Sequence, residues 1–229
     1  MKDRPFTTLF LLTSVDGKIS TGASDALDVD KDFPSIEGVG EGLHQYYEIE
    51  ETTGLWSLNT GRVMQKIGVN GRKDEPEKMP VSFVIIDNRP HLNEDGVAYL
   101  CKWVKQLIIV TTNRSHPAFS ARNKNLSVLY QQTLDLPGLL RALREEYGVE
   151  RLTVQSGGTL NGALLHQKLL DSVDIVVAPV LIGGKDTSSL IDGKSLVSPE
   201  ELNKLGVLKL EQCDVLENSY LRLRYRVVG

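Results

Sequence analysis

Five short stretches of this chain have no polar face. Residues 6–13 (FTTLFLLT), 81–86 (VSFVII), 107–110 (LIIV), 126–129 (LSVL) and 173–178 (VDIVVA) are apolar and β-branched, and too short for buried helices. A strand that is apolar on both sides needs cover on both sides, as in a parallel sheet held between layers of helices. The intervening segments supply those helices. The clearest is 135–147, where Asp135 can cap the first turn, Pro137 suits it and Gly148 stops it. Leu136, Leu139, Leu140, Leu143 and Tyr147 line one face of that helix. Residues 41–52 and 96–104 read as further helices, a short one begins at Ser115 or His116, and 55–59 and 152–155 read as short strands. Near the C-terminus the pattern changes: 206–212 and 220–228 alternate apolar with polar residues, as in an antiparallel pair with one exposed face. Together these predict one three-layer α/β domain over residues 1–229, with a mostly parallel central sheet and antiparallel C-terminal edge strands.

In such a sheet, ligands lie outside the carboxyl ends of the strands. Four polar clusters fall there: Thr13-Ser14, Asn59-Thr60, Asn88 and Gln155-Ser156. The last opens the most informative stretch, 151–170, in which a strand passes through Ser156-Gly157-Gly158 into a helix starting near Thr159. The first N–H groups of a helix have no intrahelical partner and its macrodipole makes that end positive, so phosphate is accepted there. Adjacent glycines permit close approach, and Ser156 and Thr159 can add hydroxyls. The stretch matches neither G-x-x-x-x-G-K-[ST] nor G-x-G-x-x-G, and a merely tight connection stays open. Residues 55–66 repeat the theme with Thr60-Gly61-Arg62. Here Arg62 is either a fork of donors for phosphate or a surface arginine of a first helical turn. The acidic run Asp28, Asp30, Asp32 reads as a solvated face.

A net charge of −4 excludes the dense basic face of a nucleic-acid binder. Cys101 and Cys213 form no C-x-x-C and read as reduced, partly buried thiols of a cytoplasmic protein. His44, His91, His116 and His166 show no metal-ligand spacing, so no metal is expected. No run is long enough to span a membrane, and the N-terminus has no apolar signal core.

The segments 13–19 (TSVDGKI), 84–89 (VIIDNR), 154–162 (VQSGGTLNG), 169–174 (LLDSVD) and 178–184 (APVLIGG) together resemble the pyrimidine reductase of riboflavin biosynthesis. That reductase is the C-terminal domain of a bifunctional deaminase–reductase and has a dihydrofolate-reductase-like fold. The likeness runs from Pro5 to about Val228 and is weakest between residues 22 and 56; the zinc-ligand signature of the deaminase is missing. The resemblance implies NADPH, hydride transfer to a carbon such as C1′ of a ribosylamino group, a small-molecule substrate and a homodimer. The implied activity is that of a 5-amino-6-(5-phosphoribosylamino)uracil reductase. It puts Ser156, Gly157, Gly158, Thr159, Leu160 and Asn161 at the cofactor pyrophosphate and Asn88 at the 2′-phosphate side. Thr60-Gly61-Arg62 is similar to the helix start that dihydrofolate reductases use for the same cofactor. The loop from Ser14 would lie against the nicotinamide, making Asp16 either a turn former or a substrate contact. Gln155, Thr13 and Ser14 could orient the acceptor, and water or Asp16 would supply the proton. Two positions depart from the family: Phe10 stands for its usual Lys and Gln155 for its usual Glu, which suggests a changed substrate. The competing functions are a pterin-type reductase and an NADP(H)-binding protein without turnover.

Overall fold

The apolar runs fold as strands with parallel neighbours, for the reason their composition dictates. A computed structural model describes residues 3–228, and its contacts divide the chain into two units. The first holds Gly54–Ser156, the second Phe6–Thr53 and the residues from Gly157 onward. In chain order the elements are β1 (Phe6–Ser14), α1 (Val29–Asp32), α2 (His44–Glu50), β2 (Trp56–Thr60), α3 (Gly61–Lys66), β3 (Ser82–Ile86), α4 (Glu94–Trp103) and β4 (Leu107–Thr111). There follow β5 (Leu126–Tyr130), α5 (Leu136–Tyr147), β6 (Arg151–Val154), α6 (Gly158–His166), β7 (Ser172–Ala178), β8 (Leu208–Val215) and β9 (Leu221–Val227). The short helix expected near His116 is a 3-10 turn, Pro117–Phe119, with His116 as its cap.

In the first unit the strands run in the order β5-β4-β3-β2-β6, with parallel pairing throughout. Every residue of β3 and β4 is buried. Ile85, Leu100, Leu107 and Ile109 form the centre of a core that β3, β4 and α4 share. Full burial of such a side chain contributes roughly 1.5–3 kcal/mol. β5 departs from the expectation of a core strand: it lies at the end of the order, and all five of its residues are only half-buried. Its sequence is as apolar as that of its neighbours; position in the sheet decides its burial. Asp135 Oδ1 accepts the Gly138 N–H at 3.0 Å to cap α5, and the helix stops at Gly148, whose φ of 66° is left-handed.

In the second unit β1 and β7 are parallel, from Thr8 opposite Ser172 to Ser14 opposite Ala178. β9 pairs antiparallel with β7, and β8 antiparallel with β9. The predicted α/β class, mostly parallel with antiparallel C-terminal edge strands, is the one observed. The single exposed face expected of the last pair is not. Every residue of β8 except Asp214 is exposed, Leu208 and Leu210 included, so neither face of that strand is covered. Alternation marks a strand without saying whether anything packs on its apolar side.

The acidic run is not a solvated face either. Asp28 is buried and caps α1 by accepting the Asp30 N–H at 2.9 Å. Asp32 accepts the Asp28 N–H at 2.9 Å and the Thr21 hydroxyl, and Asp30 accepts the Tyr47 hydroxyl at 2.8 Å. Local backbone donors, invisible to charge counting, recruit the carboxylates as caps.

Candidate functional site

In the first unit, the carboxyl ends of β2, β3 and β6 carry the predicted polar residues. Thr60 is the N-cap of α3, its hydroxyl accepting the Val63 N–H at 3.4 Å. Gly61 is buried with its Cα against the Asp87 carboxylate, so any Cβ would collide with it. Thr60 and Gly61 are therefore engaged in building the helix start. Arg62, on the same turn, is exposed.

The Asp87 side chain is fully buried and accepts from the backbone N–H groups of His91 (3.1 Å) and Leu92 (3.0 Å). His91 Nδ1 and His116 Nε2 each approach it at 3.0 Å. His116 Nδ1 accepts the Ala118 N–H at 3.1 Å, which leaves Nε2 to donate to Asp87. Burial pushes the Asp87 carboxyl up, but the bonds from His116, Leu92 and His91 outweigh it, and the group is held below its ordinary value. This cluster around the Asp87 carboxylate, at the start of α3, was not legible in the chain, because its members are far apart and match no ligand spacing. Asn88, next to it, is half-buried and accepts the Thr112 N–H at 2.9 Å through Oδ1.

Gln155 follows β6 and is half-buried, its N–H bound to Leu58 O at 2.9 Å. Its Oε1 accepts the Ser57 hydroxyl at 2.7 Å, and Ser57 in turn accepts from Asn59 Nδ2 at 2.8 Å. Ser156 is buried. A cleft of about 420 Å³ bounded by Arg72, Tyr99 and Trp103 contains none of the predicted residues. Its aromatic faces are covered by the Arg72 guanidinium, 5.5 and 5.3 Å from the two ring centres.

In the second unit, Thr13 and Ser14 close β1 and both are buried. Ser14 donates to Asp16 Oδ1 at 2.5 Å and accepts the Lys18 N–H at 2.9 Å. Asp16 also accepts from the N–H groups of Ile182 at 3.1 Å and Gly183 at 2.6 Å. Those bonds, from Ser14 foremost, hold its carboxyl down at about 2. A carboxyl so held is ionised at neutral pH and gives no proton. Of the two roles expected for Asp16, these bonds are those of the turn former.

α6 starts at Gly158 with Gly157 as its N-cap and no side-chain cap. The space a Cβ would take at Gly157 is open, and Thr159 is exposed. Gly158 is closed in, with Ser189 O and the Asp192 carboxylate where its Cβ would be. Asn161 is fully buried and donates from Nδ2 to Leu190 O at 2.8 Å, and Leu160 is buried as well. Lys18 Nζ reaches Thr187 O at 2.9 Å and Ser189 Oγ at 3.2 Å, so residues 187–192 are tied both to the 14–19 loop and to α6. Sequence reasoning missed this segment; its one signal is the Asp192-Gly193 turn pair. Asn161 and Leu160 thus have packing roles, and the groups that remain accessible around the turn are the backbone at Gly157 and Thr159. The turn at Gly157 and the exposed Thr159 place the start of α6 where an anionic group suits it.

Phe10 is completely buried and stacks on Tyr46, centroids 5.2 Å apart and planes 3° from parallel. It is a core residue, so its departure from the family's Lys carries no weight as a substrate contact.

A family model described as the RibD C-terminal domain matches residues 5–218. The chain is 35% identical over 226 residues to the 2,5-diamino-6-ribosylamino-4(3H)-pyrimidinone 5′-phosphate reductase of Archaeoglobus fulgidus, covering 88% of this chain and 93% of that one. It is 26% identical over 205 residues to the protein of the same name from Methanothermobacter thermautotrophicus, covering 84% and 86%. Among solved structures, Acinetobacter baumannii RibD aligns with a TM-score of 0.70 at 18% identity, over 99% of this chain and 59% of that longer one. The riboflavin biosynthesis reductase Rib7 of Saccharomyces cerevisiae aligns with a TM-score of 0.63 at 14% identity, over 100% and 92%.

Proposed function

The chain belongs to the RibD C-terminal domain family, and we propose that it is an NADPH-dependent reductase of a 2,5-diamino-6-ribosylamino-4(3H)-pyrimidinone 5′-phosphate. The observation that carries this reading is the 35% identity to a reductase of that name, over nearly the full length of both chains. The chemistry that NADPH supplies when bound is a hydride, delivered to C1′ of the ribosylamino group. Arg62, Asn88, Gly157, Gly158 and Thr159 hold the dinucleotide. Thr60, Gly61, Ser156, Leu160 and Asn161 complete the proposed cofactor-binding set. Gln155 orients the acceptor by hydrogen bonding. Thr13, Ser14 and Asp16 keep the 14–19 loop in place, and the proton comes from water. The whole chain, 1–229, acts as one reductase domain in the cytoplasm and works as a homodimer; the uncovered apolar residues of β8 support a second copy as partner.

The reading is tested by titrating NADPH and NADH and then offering two substrates, the diaminopyrimidinone and the aminouracil that differ at ring position 2. NADPH should bind more tightly, and the diaminopyrimidinone should be turned over in preference. Arg62→Ala should weaken NADPH about tenfold or more and NADH much less, the size expected for a charged phosphate contact. Absence of turnover with both pyrimidines, or equal losses for both dinucleotides, would count against it.

A further inference from the structure

At the carboxyl edge of the first unit, one exposed arginine is held in place by a ring instead of a carboxylate. β4 ends at Thr111, and the turn after it is braced by its own chain. The Thr112 N–H is accepted by Asn88 Oδ1 at 2.9 Å, which ties this turn to the exit of β3. The Asn113 N–H reaches Thr111 Oγ1 at 3.1 Å, and Asn113 Oδ1 accepts the Ser115 N–H at 2.8 Å. Arg114 belongs to this turn and is exposed. Its guanidinium lies over the ring of Tyr130, the last residue of β5, 4.4 Å from the centroid. Among the described residues that guanidinium forms no ion pair and no hydrogen bond. A surface arginine ordinarily loses side-chain freedom at the moment it grips a ligand; here the stack has ordered it beforehand. Its N–H donors remain to be given.

We propose that Arg114, seated on Tyr130, is a specificity-determining residue of the cofactor site: it takes the 2′-phosphate of the adenosine ribose and so distinguishes NADPH from NADH. The inference rests on the reading of this chain as an NADPH enzyme with Asn88 on the 2′-phosphate side. It deepens that reading by naming a residue that the resemblance leaves without a role. Arg114 follows closely on the Thr112 amide that Asn88 holds, so one bonded turn presents both residues. That turn lies past the carboxyl end of a parallel strand, where such sheets take their ligands. A phosphate offers pairs of oxygens that a guanidinium fork matches two at a time. A lysine would supply the charge without the fork or the same stack.

The test is calorimetric titration of 2′,5′-ADP and 5′-AMP, nucleotides that carry or lack the 2′-phosphate, into wild type, Arg114→Ala, Tyr130→Leu and the double variant. Wild type should bind 2′,5′-ADP more tightly. Arg114→Ala should weaken 2′,5′-ADP about tenfold or more and 5′-AMP less than about twofold. Tyr130→Leu should weaken 2′,5′-ADP about two- to fivefold, the scale of an exposed cation–π contact. In the Arg114→Ala background it should add nothing, which a merely structural role for Tyr130 would not produce. Unchanged affinity of Arg114→Ala for 2′,5′-ADP, or equal losses for both nucleotides, would overturn the proposal. A wild-type preference for 2′,5′-ADP would then leave the NADPH reading standing. A wild-type protein that binds the two nucleotides equally would refute that reading itself, and the proposal with it.

Discussion

At the scale of single residues, two carboxylates behave in opposite ways to what their positions in the chain suggest. Asp16, in the loop expected to meet substrate, is exposed yet held at about 2 by Ser14 and the N–H groups of Ile182 and Gly183. A depressed value means that its bonds contribute stability above the unfolded value near 3.8 and lose it as pH falls through about 2. Asp16 should therefore contribute no acid limb to kcat between about pH 5 and 9. Asp16→Asn should keep kcat within about tenfold of wild type while amide exchange at Gly183 accelerates; a general acid would lose about 100-fold or more. Asp87, which lies in the 84–89 segment but was given no role there, is the buried partner of two histidines and two backbone amides. Asp87→Ala should cost about 3–5 kcal/mol in urea unfolding, because it strands buried donors around a cavity. Its carboxyl too is held low, so its contribution is complete above the unfolded value near 3.8 and is lost as pH falls below it. A stability curve flat from pH 6 to 2 would contradict that assignment.

Among the elements, α5 and β8 show how far local pattern reaches. The cap, the apolar stripe and the glycine stop of α5 were all legible, since each is a short-range effect between residues at most a few turns apart. Asp135→Ala should lower stability by about 1 kcal/mol, read as a shift in urea midpoint with unchanged slope. β5 and β8 were legible as strands but not as edges. Their neighbours in the sheet are set by the order in which strands pair, which no local window contains. The same limit applies to residues 187–192, whose hold on α6 through Asn161 and Leu190 depends on contacts 29 residues apart.

For the whole molecule, the exposed strand β8 is the consequential feature. An uncovered strand with Leu208, Leu210 and Val215 exposed is a template for pairing with another chain. Sedimentation velocity should give about twice the 25.4 kDa chain mass, and Leu210→Glu should shift it toward one copy while leaving the thermal transition cooperative. A wild-type protein that sediments as a monomer at micromolar concentration, or a variant that remains dimeric, would remove this strand from the assembly. Taken alone, the amino-acid sequence determined the α/β class, the central strands and α5, the glycine turn before α6 and the family, because those depend on short periodicities and ordered motifs. Only the tertiary structure decided that Asp16 accepts from Ile182 and Gly183, that Asn161 and Phe10 are fully buried, and that Ser57 links Asn59 to Gln155. Each of those roles depends on which distant atoms fill a side chain's few hydrogen-bonding or packing positions, and chain folding alone brings such atoms together.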